Sequence, residues 1–167
     1  MANILFGLFN DTKNAGAAVG ELKQKGYTKE ISVLAYNKDY EQDEVYEIKH
    51  DVSDGASVGT TVGAVTGVLA GIFSGISSII VPGVGILVGG PLVAALGLTG
   101  GVTGALSGGL LGGLVDLGIN EPSASLYEKE IRMGQVLVGI STQPETEDEV
   151  RTILSKYNAT EITVVHK

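Results

Sequence analysis

Residues 55–75 read GASVGTTVGAVTGVLAGIFSG, with glycine at every fourth position: Gly55, Gly59, Gly63, Gly67, Gly71 and Gly75. A second glycine-bearing stretch follows in two interleaved rows, Gly97, Gly101, Gly109 and Gly113 (Ala105 completing the spacing) and Gly100, Gly104, Gly108 and Gly112. Nineteen of the chain's 25 glycines lie between Gly55 and Gly118, so the enrichment is local. Glycine costs a helix stability relative to alanine. A regular row of it points to a requirement for missing side chains, most simply the close approach of another helix backbone.

The surroundings set this stretch apart. All charged residues lie in 1–54 and 116–167, whereas the 61 residues from Gly55 to Val115 carry none. Helices of a soluble domain keep a polar face, so the chain reads as a charged body interrupted by an apolar insert. The organisation expected is 1–54 and 120–167 as two halves of one body, with 55–119 between them.

The body has its own pattern. Asn3 to Phe9 is a short apolar run and reads as a buried strand. Asn10 and Asp11 are turn and N-cap types, and Ala15, Ala18, Val19 and Leu22 then follow one helix face up to Gly26, a C′ residue. Ile31 to Tyr36 is a second strand. The acidic stretch 38–54 holds a short alternation around Tyr46 and Ile48 that suits a half-exposed strand. Beyond the insert, Asn120-Glu121-Pro122 opens a helix that stops at Gly134, and Gln135 to Ser141 is a third strand. Thr146-x-x-Glu149 has the form of a capping box before a helix with Val150, Ile153, Leu154 and Tyr157 on its apolar face; Asn158 ends it, and Glu161 to Val165 is the last strand.

The two ends repeat each other. ILFGLF (4–9) matches VLVGIS (136–141), Leu22 matches Leu154, and Gly26 matches Asn158. Two strand–helix–strand units make an α+β split βαβ, or ferredoxin-like, arrangement, in which strands two and three are antiparallel neighbours. The glycine-rich insert falls between those two strands.

Within the insert, Ala56 to Ile80 is expected as a helix of roughly 37 Å, stopped by Pro82. Pro82, Gly83, Gly85, Gly89, Gly90 and Pro91 form the expected hairpin turn, and a second helix of similar length runs to about Val115. Each arm has the length of a bilayer core of about 30 Å. A row of small residues every four positions favours a right-handed helix crossing at about −40°. The expected association surface is Gly59, Gly63, Gly67, Gly71 and Gly75 on the first arm, with Gly97, Gly100, Gly101, Gly104, Gly108, Gly109, Gly112 and Gly113 on the second. One face of the second arm closes the hairpin and the other meets a second subunit. Aromatic belts and flanking Lys/Arg clusters are missing from the arm ends, which favours a protein-only apolar layer over a simple membrane span.

Composition narrows the function classes. The formal net charge is −8 and the sequence pI ≈ 4.7, the wrong sign for nucleic acid. The absence of cysteine removes disulfides, thiolate metal sites and cysteine nucleophiles. The start, MANILF, lacks the positive region of a secretory leader, so a cytoplasmic location is expected, with the body on the cytoplasmic side of any membrane it meets. His50, near Asp51 and Asp54, and His166 are the two histidines, and neither completes a catalytic triad. The Gly83-Val-Gly85 segment lacks the lysine of a P-loop. No catalytic residue, metal ligand or cofactor site is expected.

A resemblance adds to this reading. FGLFND…AVGELKQKGY, the turn IIVPGVGILVGGPL and GINEP…YEKEIRMGQVLVGI resemble the bacterial low-temperature-induced and general-stress protein family, whose members carry a soluble domain interrupted by a glycine-zipper segment. The resemblance implies stress-linked expression and membrane association, and no catalytic residues. The expectation is a non-enzymatic protein that partners itself, with membrane lipid as a second partner. The alternatives are a binding module whose hairpin covers a small apolar ligand or lipid, and a pore.

Overall fold

A computed structural model describes residues 2–27, 30–35, 46–48, 78–81, 85–88 and 109–166. They form a mixed α+β structure around one antiparallel sheet. The strands are β1 (Asn3–Phe9), β2 (Ile31–Ala35), β3 (Tyr46–Ile48), β4 (Ser78–Val81), β5 (Gly85–Val88), β6 (Val136–Thr142) and β7 (Thr160–Val165). The helices are α1 (Thr12–Gln24), α2 (Gly109–Asp116), α3 (Glu121–Arg132) and α4 (Glu147–Lys156). The sheet order is β3-β4-β5-β2-β6-β1-β7.

The sequence repeat appears as a symmetry of the sheet. β1 and β6 lie side by side, with Phe6 opposite Gly139 and Gly7 opposite Val138. Exchanging the two halves maps each of these pairs onto the other, which is an approximate two-fold axis through the middle of the sheet. β2 then flanks β6 as β7 flanks β1.

Both faces of the sheet are covered, and strand alternation sorts the side chains between them. Leu5, Phe9, Ile31, Val33, Val136, Val138 and Ile140 pack under α1 and α4 with Ala15, Val19, Leu22, Val150 and Leu154. Ile4, Phe6, Leu8, Leu34 and Leu137 face the other way and pack under α2 and α3 with Leu114, Leu117, Ile119, Tyr127 and Ile131. β1 is consequently buried at every position, which is why it reads as a continuous apolar run with no alternation.

The helix ends follow one rule. Gly26, Gly118, Gly134 and Asn158 all have positive φ (100°, 101°, 102° and 62°) and sit at the C′ position of α1, α2, α3 and α4. After each, the next amide reaches back to the helix: Tyr27 to Leu22, Ile119 to Leu114, Gln135 to Glu130 and Ala159 to Leu154. These are Schellman closures. At the other ends, the Asp11 carboxylate accepts from the Asn14 amide at 2.7 Å and the Asn120 side chain from the Ser123 amide at 2.9 Å.

Three expectations need correction. The first helical arm does not reach Ile80, because Ser78–Val81 is strand β4. Gly85 opens β5 and is no part of a turn between helices. β4 and β5 pair antiparallel from Val81–Gly85 to Ser78–Val88, and β5 in turn pairs with β2. The physical cause is local composition: branched residues at 79–81 and 86 favour strand, Pro82 and Gly83 between them are poor helix formers, and the edge of β2 offers backbone groups to receive the pair. Part of the charge-free run is thus sheet. Finally, Thr146 makes no capping bond to α4; its hydroxyl pairs with the Thr142 hydroxyl at 2.7 Å, after a 3₁₀ turn at Pro144–Thr146, and Glu149 reaches Lys25 instead. The remainder of the expected first arm, residues 56–77, lies outside the described residues, as do residues 91–108 of the second.

Candidate association surface

Of the thirteen glycines expected to associate, Gly109, Gly112 and Gly113 fall in α2; the other ten lie outside the described residues, as do Pro82, Gly83, Gly89, Gly90 and Pro91. α2 is the end of the expected second arm, and it is fixed to the body. Leu114 is fully buried, Leu117 and Ile119 nearly so, and Leu111 packs against the same cluster. Gly118 then closes the helix against β7: a Cβ added there would meet Val165 Cγ1 at 2.8 Å.

Gly112 occupies the opposite side. At 100° per residue it lies about 160° from Leu114, with Gly109 at about 140° and Gly113 at about 100°. A Cβ added at Gly112 would meet nothing within 4 Å among the described residues. Val115, beside this face, is 39% exposed, one of two exposed large apolar residues among the described ones. At Gly112, therefore, no described residue of the body fills this face.

A second surface feature is an open groove of ≈ 610 Å³ between α1 and α4, lined by Ala17, Gly20, Glu21, Gln24, Lys25, Lys156 and Tyr157. Its charges are matched to each other. Glu21 accepts from Lys156 Nζ and from the Tyr157 hydroxyl, both at 2.7 Å, and Lys25 Nζ meets Glu149 at 2.6 Å. The hydrogen bonds from Lys156 and then Tyr157 hold the Glu21 carboxyl below its ordinary value, while Glu21 raises both Lys156 and Tyr157. The bond to Glu149 likewise raises Lys25. With its acids and amines paired, the groove acts as a clamp between two helices and offers no free base or nucleophile.

A similar cluster closes the end of the sheet, where Asn3 Nδ2 donates to Glu147 at 2.9 Å and Arg151 pairs with the same carboxylate at 3.1 Å. The Asn3 bond, then the Arg151 bond, lowers the Glu147 carboxyl, and His166 adds a smaller favourable charge. A depressed folded-state value means stability that is present above the ordinary carboxylate range and lost as pH falls through the folded value. Glu21→Gln with Glu147→Gln is therefore expected to flatten the acid limb of a stability–pH curve below about pH 4.5, measured by denaturant unfolding. An unchanged acid limb would remove these two carboxylates from the account.

Tyr127 does more than fill the core. Its ring is fully buried beside Phe6, and its hydroxyl bonds to the Glu161 carbonyl and, at 2.7 Å, to the Thr163 hydroxyl, tying α3 to β7. Burial raises its pKa. The sequence signal available was the helical spacing Ala124–Tyr127–Ile131, which shows the buried face but not the polar partner.

Among the described residues, no group of three or more His, Asp or Glu side chains is placed to hold a metal ion. His50 lies outside them, and His166 is exposed. Nor, among them, is any helix long and apolar enough to cross a membrane. Comparisons with protein-family models, with curated proteins and with solved structures found no match.

Proposed function

We propose that this chain is a non-enzymatic, self-assembling structural protein, in which a ferredoxin-like body carries a glycine-rich association element between its second and third body strands (β2 and β6). The order β2-β6-β1-β7, the two-fold register of β1 and β6, and the placement of α1 and α4 on one face support the ferredoxin-like layout. The observation that carries association is the open face at Gly112, on a helix whose other side is anchored by Leu114 and Leu117. A small-residue face fixed in orientation by a packed core presents a close-approach surface to another helix at little entropic cost. The resemblance to the stress proteins supplies the setting, stress-linked expression with the body in the cytoplasm.

Gly112→Leu tests this reading, because a Cβ added there meets nothing within 4 Å and leucine raises helix propensity by about 0.5–1 kcal/mol. The monomer fold is expected to be as stable as the parent or slightly more so. Sedimentation velocity without detergent is expected to show a large parent species that Gly112→Leu and Gly104→Leu disperse. Variants that sediment like the parent refute association through this face. A parent that runs as a monomer near 17.2 kDa and gains stability on lipid addition favours an apolar-ligand module instead.

A further inference from the structure

We propose that β7 can pair with β1 in two registers one residue apart, and that the buried Tyr127 hydroxyl is the latch that selects the one observed. Ile4, Leu5 and Phe6 stand opposite Val165, Val164 and Thr163, but Leu8 stands opposite Thr160. Glu161 and Ile162 are therefore both set against Gly7, one residue too many, and β7 bulges there. On the other side of the sheet, β2 runs along β6 from Ile31 to Ala35 without such a shift.

The side chains of β7 do little to choose between registers. Residues 162–165 read Ile-Thr-Val-Val, branched throughout and without the polar alternation that would mark one face. With the bulge, Ile162 and Val164 pack against the core under α1 and α4, and Val165 joins the core that holds Tyr127. A ladder continued in phase from Leu8–Thr160 would set Ile162 opposite Phe6, Thr163 opposite Leu5 and Val164 opposite Ile4. Every side chain from 162 to 165 would then change face, while the turn out of α4 kept its place. This straight register would also release Glu161 from φ 50°, a conformation disfavoured for a residue with a Cβ.

Tyr127 supplies what favours the bulge. Its hydroxyl meets the Glu161 carbonyl and, at 2.7 Å, the Thr163 hydroxyl. A carbonyl only accepts, so the phenol proton goes to Glu161 and Thr163 donates to the phenol oxygen. Tyr127 has no exposed surface. In the straight register Thr163 turns to the opposite face and the Glu161 carbonyl leaves with the bulge, a costly loss of partners for a polar group out of solvent. Gly7 completes the latch: a Cβ there would meet Ala159 Cβ at 3.3 Å and Ile162 Cγ1 at 3.9 Å, so the bulge uses the room that the missing side chain leaves. Release of one hydroxyl on α3 thus changes which faces β7 presents without unfolding the body.

The chain has no cysteine, so a pair of introduced thiols reads the register directly, in whatever state of assembly the chain adopts. Directly opposite residues of antiparallel strands have Cα atoms about 4.5–5.5 Å apart, within the span of a disulfide. A one-residue offset points the two side chains to opposite faces. Full-length Ile4→Cys/Val165→Cys therefore reports the bulged register, and Ile4→Cys/Val164→Cys the straight one. With oxidised glutathione, the link within one chain, counted by mass after thiol alkylation, is expected at 4–165 in the parent background. Tyr127→Phe is expected to raise the rate of 4–164 linkage relative to 4–165 by about tenfold or more. Adding Glu161→Gly, which removes the penalty at φ 50°, should reverse that shift. Thr163→Val should act in the same direction as Tyr127→Phe, which keeps the test decisive if the Phe variant does not fold; circular dichroism melts establish folding. A folded variant of either kind that keeps the parent's linkage ratio would overturn the proposal, as would a shift that Glu161→Gly leaves in place.

Discussion

Phe6→Ala is expected to remove about 3–5 kcal/mol of folding stability, the largest loss among single substitutions in the body. Phe6 has no exposed surface, and β1 is hydrogen-bonded on both sides, so the surrounding backbone is poorly able to collapse into the vacated space. Across the ladder it faces Gly139, which has no side chain to fill the gap. Its ring centroid lies 6.5 Å from that of Tyr127, so the substitution also removes a tilted aromatic contact. Domains of this kind are held by about 5–15 kcal/mol in total; the variant should therefore unfold at markedly lower denaturant concentration, with Phe6→Leu losing less than half as much. A loss under about 1 kcal/mol would mean that the second core is not packed around this residue.

Gly118→Ala is expected to be the next most damaging change, although it adds a single methyl group. Gly118 closes α2 at φ 101°, where an L side chain costs about 1–2 kcal/mol. The added Cβ would also sit 2.8 Å from Val165 Cγ1, so the stiff, buried Val165 side chain or the elements that carry it must shift, at a further cost of about 1–3 kcal/mol. Two internal comparisons isolate the second part. Gly26 and Gly134 have nearly the same φ, and a Cβ at either meets nothing within 4 Å. Gly26→Ala and Gly134→Ala should therefore show the backbone cost alone in chemical denaturation, and Gly118→Ala should exceed both. Equal losses at the three positions would mean that the contact between α2 and β7 is not tight.

Much of the body was legible because the signals that define it are local. Asp11 and Asn120 cap helices through their own side chains within three residues, and Gly26, Gly134 and Asn158 end helices through their own φ. The internal repeat was visible because equivalent positions do equivalent work: Leu22 and Leu154 each supply a buried helix side chain and the carbonyl that closes a Schellman turn. The capping box at Thr146 failed for one local and one non-local reason. Thr142, at the end of β6, competes for the Thr146 hydroxyl, and Lys25 on α1 takes Glu149.

The same distinction governs the candidate surfaces. Glycine spacing identified α2 as a small-residue helix, but that Gly112 turns away from the described body depends on Leu114 and Leu117 joining the core of Phe6 and Tyr127, which spacing does not encode. The bulge in β7 became visible only once its register against β1 was known.

Sequence by itself determined that this protein has a charged α+β body made of two similar halves and a charge-free, glycine-rich run between them. Periodicity, caps and charge are properties of neighbouring residues, and they survive in any arrangement of the elements. Only the tertiary structure decided that 78–81 and 85–88 are strands, since a short apolar run takes strand or helix according to whether a sheet edge is present to satisfy its backbone. It also decided which side of α2 the described body leaves uncovered. Which face is left uncovered is a property of the whole packed chain, and no window of sequence contains it.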